Sequence, residues 1–305
     1  MKLEGIHHIT AITENAQSNV DFYAGVLGLR LVKKTVNQDN PTVYHLFFAD
    51  EDGDPGSDLT FFEYPGAARG RAGDGMVHRV VWRVASSDAL DFWATRLAAN
   101  GTESERDGDS LVFADPEGLE HELAVVEVPD PPLIADHPEV PGDLALQGFH
   151  AVRAFAAAPE ASSGLLEALE FEQVDGGWEA RGEKRGGLYI IDEPPSERGI
   201  QGAGSVHHVA WASTPEELLD WREKAEQGGA QPTPEIDRFY FRSIYFREPS
   251  GVLFEIATLG PGFTVDEPLE SLGEKLSLPP AFEHLRDEVE PRLRPVVNPR
   301  VQASG

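Results

Sequence analysis

A fourfold internal repeat constrains the fold of this chain more than any other feature of its sequence. Each copy opens with a short apolar strand that contains histidine, continues through a segment that ends near glycine and shows helical features, and closes with further strands. The openings, spaced 57 to 72 residues apart, are Ile6–Thr10, Val77–Val81, Phe149–Arg153 and Val206–Ala210. Such repeats are supersecondary modules that must pack against one another to bury their apolar faces.

The order of patterns in each copy predicts a βαβββ module, and four such modules predict an α+β fold. A sheet with a helix on one face leaves its other face free, so pairs of modules can form two cup-like mixed sheets. We expect modules one and two within residues 1–127, modules three and four within 142–259, and a C-terminal extension over 260–305. The individual modules should span approximately 1–66, 75–127, 146–194 and 203–259. Within the extension, residues 280–293 are predicted to form one further helix.

The closing strands of the copies place carboxylates at matching positions. Copies two and four both end with a tight turn followed by an alternating strand, which aligns Glu122 with Glu255. Copy one has a shorter version of this turn, and Thr60 falls at the position of the two glutamates.

The opening strands can hold histidine at two adjacent positions, and the copies fill these positions differently. The first position is histidine in every copy: His7, His78, His150 and His207. The second position holds His8 and His208 in copies one and four, but Arg79 and Ala151 in copies two and three. A residue shared by all copies indicates a structural role, whereas one restricted to two copies indicates local chemistry. We therefore predict that His8, His208 and the aligned Glu255 bind a metal ion.

Two neutral imidazoles and one carboxylate form the facial triad that leaves coordination positions open on a non-haem Fe(II). Zn(II) or Mn(II) could use the same three ligands. Glu122 is interpreted as structural or exposed, because its copy lacks the second histidine. The histidines to which no function is assigned are His45, His121, His137 and His284.

Composition excludes several other functions. The 305 residues include 53 Asp and Glu against 25 Lys and Arg, a formal net charge of −28, so the surface should repel nucleic-acid phosphates and anionic lipids. No apolar run is long enough for a transmembrane helix, and the N-terminus lacks the apolar core of a signal peptide. The absence of cysteine excludes disulfides and thiolate metal sites. We expect a cytoplasmic protein with neither a nucleic-acid nor a membrane partner.

Several motifs resemble the vicinal oxygen chelate superfamily, the group of glyoxalases, bleomycin resistance proteins and extradiol dioxygenases in which paired βαβββ modules form a metal-binding cup. Within it, the chain is similar along nearly its whole length to ring-cleaving dioxygenases of the hydroquinone 1,2-dioxygenase type. The matching segments are residues 3–10, 44–50, 148–150, 206–208, 238–255, 259–264 and 271–273. Pro261 departs from the pattern as an apparent insertion.

The resemblance implies Fe(II) ligands from modules one and four, the same three residues that comparison of the copies selects. Those two modules must then share one cup, although they lie in opposite halves of the chain. The resemblance also implies catalytic roles for residues near the metal, namely His7, Thr10, His207, Arg238 and Tyr245.

Elementary chemistry supports part of that set. Arg238 or Tyr245 could stabilise negative charge on a substrate oxygen, although core packing or a surface hairpin explains either residue alone. A neutral histidine could move a proton. Strand alternation directs His7 and His207 away from the ligand face, so hydrogen-bonded positions behind the metal-binding strands are their alternative role.

The expected function is an Fe(II)-dependent, extradiol-type, ring-cleaving dioxygenase that adds O2 to a hydroquinone or catechol-like diol. One alternative is a glyoxalase-like isomerase or transferase of the same fold that uses another metal. The other is a protein that only binds an aromatic compound. The acidic excess, with only six lysines and no cysteine, is typical of a surface adapted to the high-salt cytoplasm of a halophilic organism. We also expect a homo-oligomer of two or more chains.

Overall fold

The computed structural model describes residues 1–302 and contains the four predicted βαβββ modules. Module one comprises β1 (Ile6–Thr13), α1 (Ala16–Val20), a π-helical turn (Asp21–Val26), β2 (Arg30–Asn37), β3 (Asn40–Ala49) and β4 (Asp58–Glu63). Module two comprises β5 (Met76–Val84), α2 (Ser87–Ala99), β6 (Ser104–Asp107), β7 (Ser110–Ala114) and β8 (Glu120–Val125).

The second half of the chain repeats this arrangement. Module three comprises β9 (Phe149–Phe155), a 3-10 turn (Pro159–Ser162), α3 (Ser163–Ala168), β10 (Glu172–Val174), β11 (Gly177–Arg181) and β12 (Gly186–Asp192). Module four comprises β13 (Val206–Ser213), α4 (Leu218–Gln227), β14 (Ile236–Asp237), β15 (Arg242–Arg247) and β16 (Leu253–Thr258).

The modules pair across the two halves of the chain. One eight-stranded sheet has the order β14-β15-β16-β13-β1-β4-β3-β2 and therefore joins modules four and one. The other has the order β10-β11-β12-β9-β5-β8-β7-β6 and joins modules three and two. In each sheet the two opening strands are antiparallel neighbours at the centre, which brings into contact residues about 200 positions apart in the first sheet and about 70 apart in the second. The α+β fold of two curled mixed sheets is confirmed.

A β-bulge lies at the first histidine of every module. Between Ile6 and His8 the facing strand β13 advances by only one residue, so His7 is an extra residue in β1. The same one-residue irregularity occurs at His207, His78 and His150. A bulge bends its strand and changes the direction of the side chains beside it. The histidine that all four copies share thus coincides with an irregularity that all four modules share.

Helix α2 shows how a module buries its apolar face. The Ser86 hydroxyl accepts a hydrogen bond from the backbone N–H of Ala89 and so caps the first turn. Leu90, Trp93 and Leu97 follow at helical spacing and are fully buried against the sheet.

The C-terminal extension returns to module one. The ammonium group of Lys33, on β2, is fully buried and binds the carboxylates of Asp266 and Glu267 in the extension. The expected single helix over residues 280–293 is wrong. That stretch contains a 3-10 turn (Glu283–Leu285), the short helix α5 (Arg286–Val289) and a second 3-10 turn (Glu290–Arg292), followed later by α6 (Pro299–Gln302). Pro291 has no backbone N–H to donate to the carbonyl four residues before it, and a 3-10 turn replaces the α-helix at this position.

No helix within residues 1–302 is both long and apolar enough to cross a membrane.

Candidate metal centre

Three neighbouring strands of the first sheet bring the predicted metal ligands together. His8 lies on β1, His208 on the adjacent β13, and Glu255 on β16, the next strand along. Strands β1 and β13 pair so that Thr10 faces His208, and β13 and β16 pair so that Ala210 faces Glu255. All three ligand side chains are almost completely buried.

The three ligand atoms form a nearly equilateral triangle. The His8 Nε2 and His208 Nε2 atoms are 3.3 Å apart, and the Glu255 Oε2 atom lies 3.2 Å from the first and 2.9 Å from the second. Two ligands at right angles on a metal with bonds of about 2.0–2.2 Å are about 3.0 Å apart, so the triangle fits one face of an octahedral site. Among the described residues, no other group of three or more His, Asp or Glu side chains converges in this way.

Charge in the triangle also indicates a cation. Glu255 Oε2 is buried and has no hydrogen-bond partner. Burial alone would raise the pKa of Glu255, but the imidazoles of His8 and His208 hold that pKa well below its usual range. Positive charge in the triangle, from protonated imidazoles or from a metal ion held by neutral ones, keeps the carboxylate ionised, and Oε2 is its oxygen without a hydrogen-bond partner.

The first histidine of each pair fixes the tautomer of the ligand beside it. His7 Nε2 donates to the Thr258 carbonyl at 3.1 Å, so His7 Nδ1 carries a lone pair. That lone pair accepts the hydrogen bond from His8 Nδ1, 2.9 Å away, which leaves the lone pair of His8 on Nε2. A hydrogen bond of this type orients a metal-binding imidazole and makes it more basic.

His207 makes the matching contact in module four. Its Nδ1 lies 2.8 Å from His208 Nδ1, so His208 Nε2 likewise faces the triangle. Unlike the buried His7, His207 is exposed to solvent. Both rings thus occupy hydrogen-bonded positions behind the ligands, and the bulges let them reach the neighbouring histidine. Burial lowers the pKa of His7 to about 3, so this ring stays neutral.

Ser243 is a supporting residue that the sequence patterns did not reveal. It lies on β15 and donates a hydrogen bond to Glu255 Oε1 at 2.5 Å. This contact occupies the oxygen that does not face the histidines and so holds the carboxylate in one orientation.

The triangle opens onto a cavity of about 490 Å³ inside the cup. Its aromatic and aliphatic walls include Phe47, Phe62, Ile236, Phe241 and Leu253. Its polar groups include Asn37, Gln38, Asp39, His45, Arg238 and Tyr245. A mostly apolar cavity with a few convergent polar groups is typical of a site for a small molecule.

Arg238 and Tyr245 lie together beside the triangle. Arg238 Nε donates to the Tyr245 hydroxyl oxygen at 3.2 Å, and its other two nitrogens bind both oxygens of Asp39 at 3.2 and 3.1 Å. Because the tyrosine oxygen accepts this bond, its O–H group remains free to donate. Burial raises the pKa of Tyr245, so the hydroxyl stays protonated.

Thr10 lies below the floor of the cavity and does not line it. It is fully buried, and its hydroxyl contacts the Thr60 hydroxyl at 2.8 Å. Thr60 in turn contacts Nε2 of His45 at 2.9 Å. His45, to which the sequence assigned no function, therefore belongs to the cavity wall. The repeat comparison could not find it because the matching residue of module four, Ser243, has a different side chain.

The second sheet has an ion pair at the matching position. Arg79, which replaces the second histidine, binds Glu122 at 3.1 Å and Glu120 at 2.9 Å. Ala151, the corresponding residue of module three, offers no ligand atom. Glu122 is therefore structural, and the guanidinium occupies the side of the sheet where modules one and four place their triangle.

Comparison with known proteins agrees with this geometry. The family model of the Glyoxalase/Bleomycin resistance protein/Dioxygenase superfamily matches residues 5–123 and 148–256. The chain is 43% identical over 305 residues to MhqO of Bacillus subtilis (strain 168), provisionally named a ring-cleaving dioxygenase, and the match covers 96% of this chain and 97% of MhqO. It is 33% identical over 312 residues to the chlorohydroquinone/hydroquinone 1,2-dioxygenase of Sphingobium indicum, a match that covers 94% of this chain and 95% of that enzyme.

Solved structures show the same fold. A crystal structure from Bacillus subtilis subsp. subtilis str. 168, provisionally described as a dioxygenase, superposes with a TM-score of 0.90 at 41% identity and covers 97% of this chain and 98% of that one. Glyoxalase I from Zea mays superposes with a TM-score of 0.58 at 14% identity, covering 84% of this chain and 92% of that one, a likeness of fold alone.

Proposed function

Because the chain belongs to the glyoxalase/bleomycin resistance protein/dioxygenase superfamily, we propose that it is a ring-cleaving dioxygenase that acts on a hydroquinone-type aromatic diol with O2. The proposed metal is Fe(II), held by His8, His208 and Glu255. The observation that carries the proposal is the buried triangle of two imidazole nitrogens and one unpaired carboxylate oxygen at the side of a largely apolar cavity.

The donor set favours Fe(II) over the alternatives. Two imidazoles and one carboxylate on a single face are typical of non-haem Fe(II) oxygenases, which need open positions for both substrate and oxygen. When bound, the metal would supply adjacent coordination positions for the diol and O2 and would accept charge during electron transfer between them. The three ligands together would carry a single negative charge, which suits a divalent ion.

The cavity walls are suited to an aromatic ring. Phe62 lies 6.4 Å from His208 between ring centroids, and Phe241 lies 5.0 Å from His8. Aromatic faces at such distances favour an aromatic ligand beside the metal ligands and exclude water from it.

Tyr245 and Arg238 have a distinct part in this reaction. A diol that has released one proton to solvent carries negative charge on that oxygen, and the free O–H of Tyr245 can donate a hydrogen bond to it. Arg238 binds the tyrosine oxygen, which polarises the O–H group and makes it a stronger donor. The ion pair with Asp39 holds the guanidinium of Arg238 in place against Tyr245.

His7 and His207 are proposed as positioning residues, because each bonds the non-metal nitrogen of a ligand histidine. Thr10 is proposed to support the cavity floor through Thr60. Of the catalytic residues that the resemblance implies, only Tyr245, Arg238 and His207 line the cavity.

The experiment that tests the proposal is oxygen consumption by anaerobically Fe(II)-loaded protein with hydroquinone, chlorohydroquinone and catechol. We expect uptake with the para-diols, loss of uptake in Glu255→Ala, and retention in the matched control Glu122→Ala. Glu122 occupies the register position in the second sheet that Glu255 occupies in the first, but it pairs with Arg79. In the Glu122→Ala variant Arg79 still has Glu120 as a partner.

Two results would contradict the proposal. One is full oxygen uptake by Glu255→Ala, and the other is no uptake by the wild type with any diol. Metal analysis of the anaerobically purified protein separates the remaining functions. An isomerase would retain Zn, Ni or Mn, whereas a simple binding protein would bind the diols equally well after chelation.

A further inference from the structure

We propose that His45 binds the substrate hydroxyl that is not on the metal, and that the site therefore selects diols whose second oxygen lies across the ring. This inference rests on the proposed function, because it concerns the orientation of an aromatic diol in that cavity. The features that carry it are the position of His45 in the sheet, its packing and its hydrogen-bonded partners.

The order of strands places His45 opposite the metal-binding side of the cup. Glu255 lies on β16, one strand outside the central β13–β1 pair, and Thr60 lies on β4, one strand outside that pair on the other side. His45 lies on β3, one strand further, so its backbone is about 10 Å from that of β1. If one oxygen of an aromatic diol lies at the triangle and the ring extends toward module one, the far end of the ring meets the side of the cavity formed by β3.

Register shows that His45 is the module-one counterpart of Ser243. Strand β3 pairs with β4 so that His45 faces Phe62, two residues beyond Thr60. Strand β15 pairs with β16 so that Ser243 faces Ala257, two residues beyond Glu255. Each residue reaches diagonally to the side chain at the carboxylate position. In module one the carboxylate position is occupied by Thr60. His45 therefore bonds the Thr60 hydroxyl, whereas Ser243 bonds the Glu255 carboxylate.

The imidazole of His45 is held in one orientation. Its ring centroid lies 4.0 Å from that of Phe47 and 4.4 Å from that of Phe62, so the ring is packed between two aromatic side chains. Its Nε2 is bound to Thr60 at 2.9 Å. The nitrogen left for a molecule in the cavity is Nδ1. Burial lowers the pKa of His45 well below its usual range, which keeps the imidazole neutral.

The hydroxyls behind His45 let Nδ1 act as either donor or acceptor. When Thr10 donates to Thr60 and Thr60 donates to Nε2, the proton of the neutral imidazole is on Nδ1 and can be donated to a substrate oxygen. When the order reverses, Nε2 donates to Thr60, and Nδ1 accepts a proton from a substrate hydroxyl. The hydrogen-bonded series Thr10–Thr60–His45 can thus bind the distal substrate oxygen either as a hydroxyl or as a carbonyl, and in both cases the imidazole stays neutral.

The experiment measures the affinity of the Zn(II)-loaded protein for hydroquinone, catechol and phenol by calorimetry, since Zn(II) has no redox chemistry of its own. We expect His45→Phe to weaken hydroquinone binding about 10-fold, the usual effect of losing one buried hydrogen bond. Phenol and catechol, which have no hydroxyl across the ring, should bind within about 2-fold of wild type. His45→Gln, which restores a polar group, should recover part of the affinity, and Thr60→Val should cause an intermediate loss.

Equal weakening of hydroquinone and phenol by His45→Phe would overturn the inference, as would unchanged hydroquinone affinity. If circular dichroism shows that His45→Phe does not fold, the test uses His45→Gln and Thr60→Val. The quantity compared is then the ratio of hydroquinone affinity to phenol affinity in these two variants. An unchanged ratio in both variants overturns the inference. These outcomes leave the proposed function intact when the Fe(II)-loaded wild type consumes oxygen with hydroquinone. Failure of the wild type to bind or oxidise any diol would overturn the proposed function together with the inference.

Discussion

The contact between His7 and His8 predicts how strongly a residue behind the proposed metal ligands affects metal affinity. Replacing His7 with phenylalanine keeps an aromatic ring in a buried position that already packs against Phe241. It removes the acceptor 2.9 Å from His8 Nδ1, so a buried N–H group loses its partner. An unsatisfied buried donor costs roughly 1–3 kcal/mol, and loss of such a partner typically lowers metal affinity about 10- to 100-fold.

His207→Phe provides the matched control. The His207–His208 contact is of nearly the same length, 2.8 Å, but His207 is exposed and water can take the place of the lost acceptor. We therefore expect a loss of less than about 5-fold in this variant. His7→Gln, whose amide oxygen can accept the bond from His8, should recover part of the affinity.

The assay is competition between the protein and a chelator for Zn(II), which reports metal affinity without any catalytic turnover. Both variants should keep the far-ultraviolet circular dichroism of the wild type. Zn(II) binding by His7→Phe as tight as that of the wild type would refute the proposed role of His7, as would equal losses of affinity in the two phenylalanine variants.

Three further predictions concern stability. Burial lowers the pKa of His121 to about 3, so the metal-free folded protein excludes a proton that the unfolded chain takes up below about pH 6.5. The free energy of unfolding should then lose about 1.4 kcal/mol per pH unit on acidification from this group, and His121→Gln should flatten that slope in urea titrations at several pH values. An identical slope in the variant would contradict the assignment. Lys33→Met leaves the carboxylates of Asp266 and Glu267 without their buried cation and should lower the free energy of unfolding by about 3 kcal/mol in a urea titration, whereas wild-type stability would show that the contact is weak. With a net charge of −28, the thermal midpoint should fall when salt is reduced from molar to millimolar, and an unchanged midpoint would speak against a surface adapted to high salt.

Internal repetition explains why so much of the fold could be predicted from one sequence. Four copies of one pattern gave four modules, and the two copies with a second histidine proved to share a sheet. The same comparison selected His8, His208 and Glu255, which the structure brings within 3.3 Å of one another. Repetition is informative here because residues at matching positions are placed by the same backbone.

Features that depend on local backbone irregularity or on unrepeated side chains could not be predicted. Strand alternation directed His7 and His207 away from the ligands, because the pattern contains no sign of the one-residue bulge that lets them contact His8 and His208. His45 has no histidine at the matching positions of the other modules, so comparison of the copies gave it no signal. The extension lies outside the repeat, and Pro291 breaks the helix that its apolar residues suggested.

The most direct test of the metal centre is anomalous diffraction at the iron absorption edge from crystals grown anaerobically with Fe(II). The geometry predicts one strong peak within about 2.0–2.3 Å of His8 Nε2, His208 Nε2 and Glu255 Oε2. A peak elsewhere, or none at these three atoms in fully loaded protein, would contradict the account.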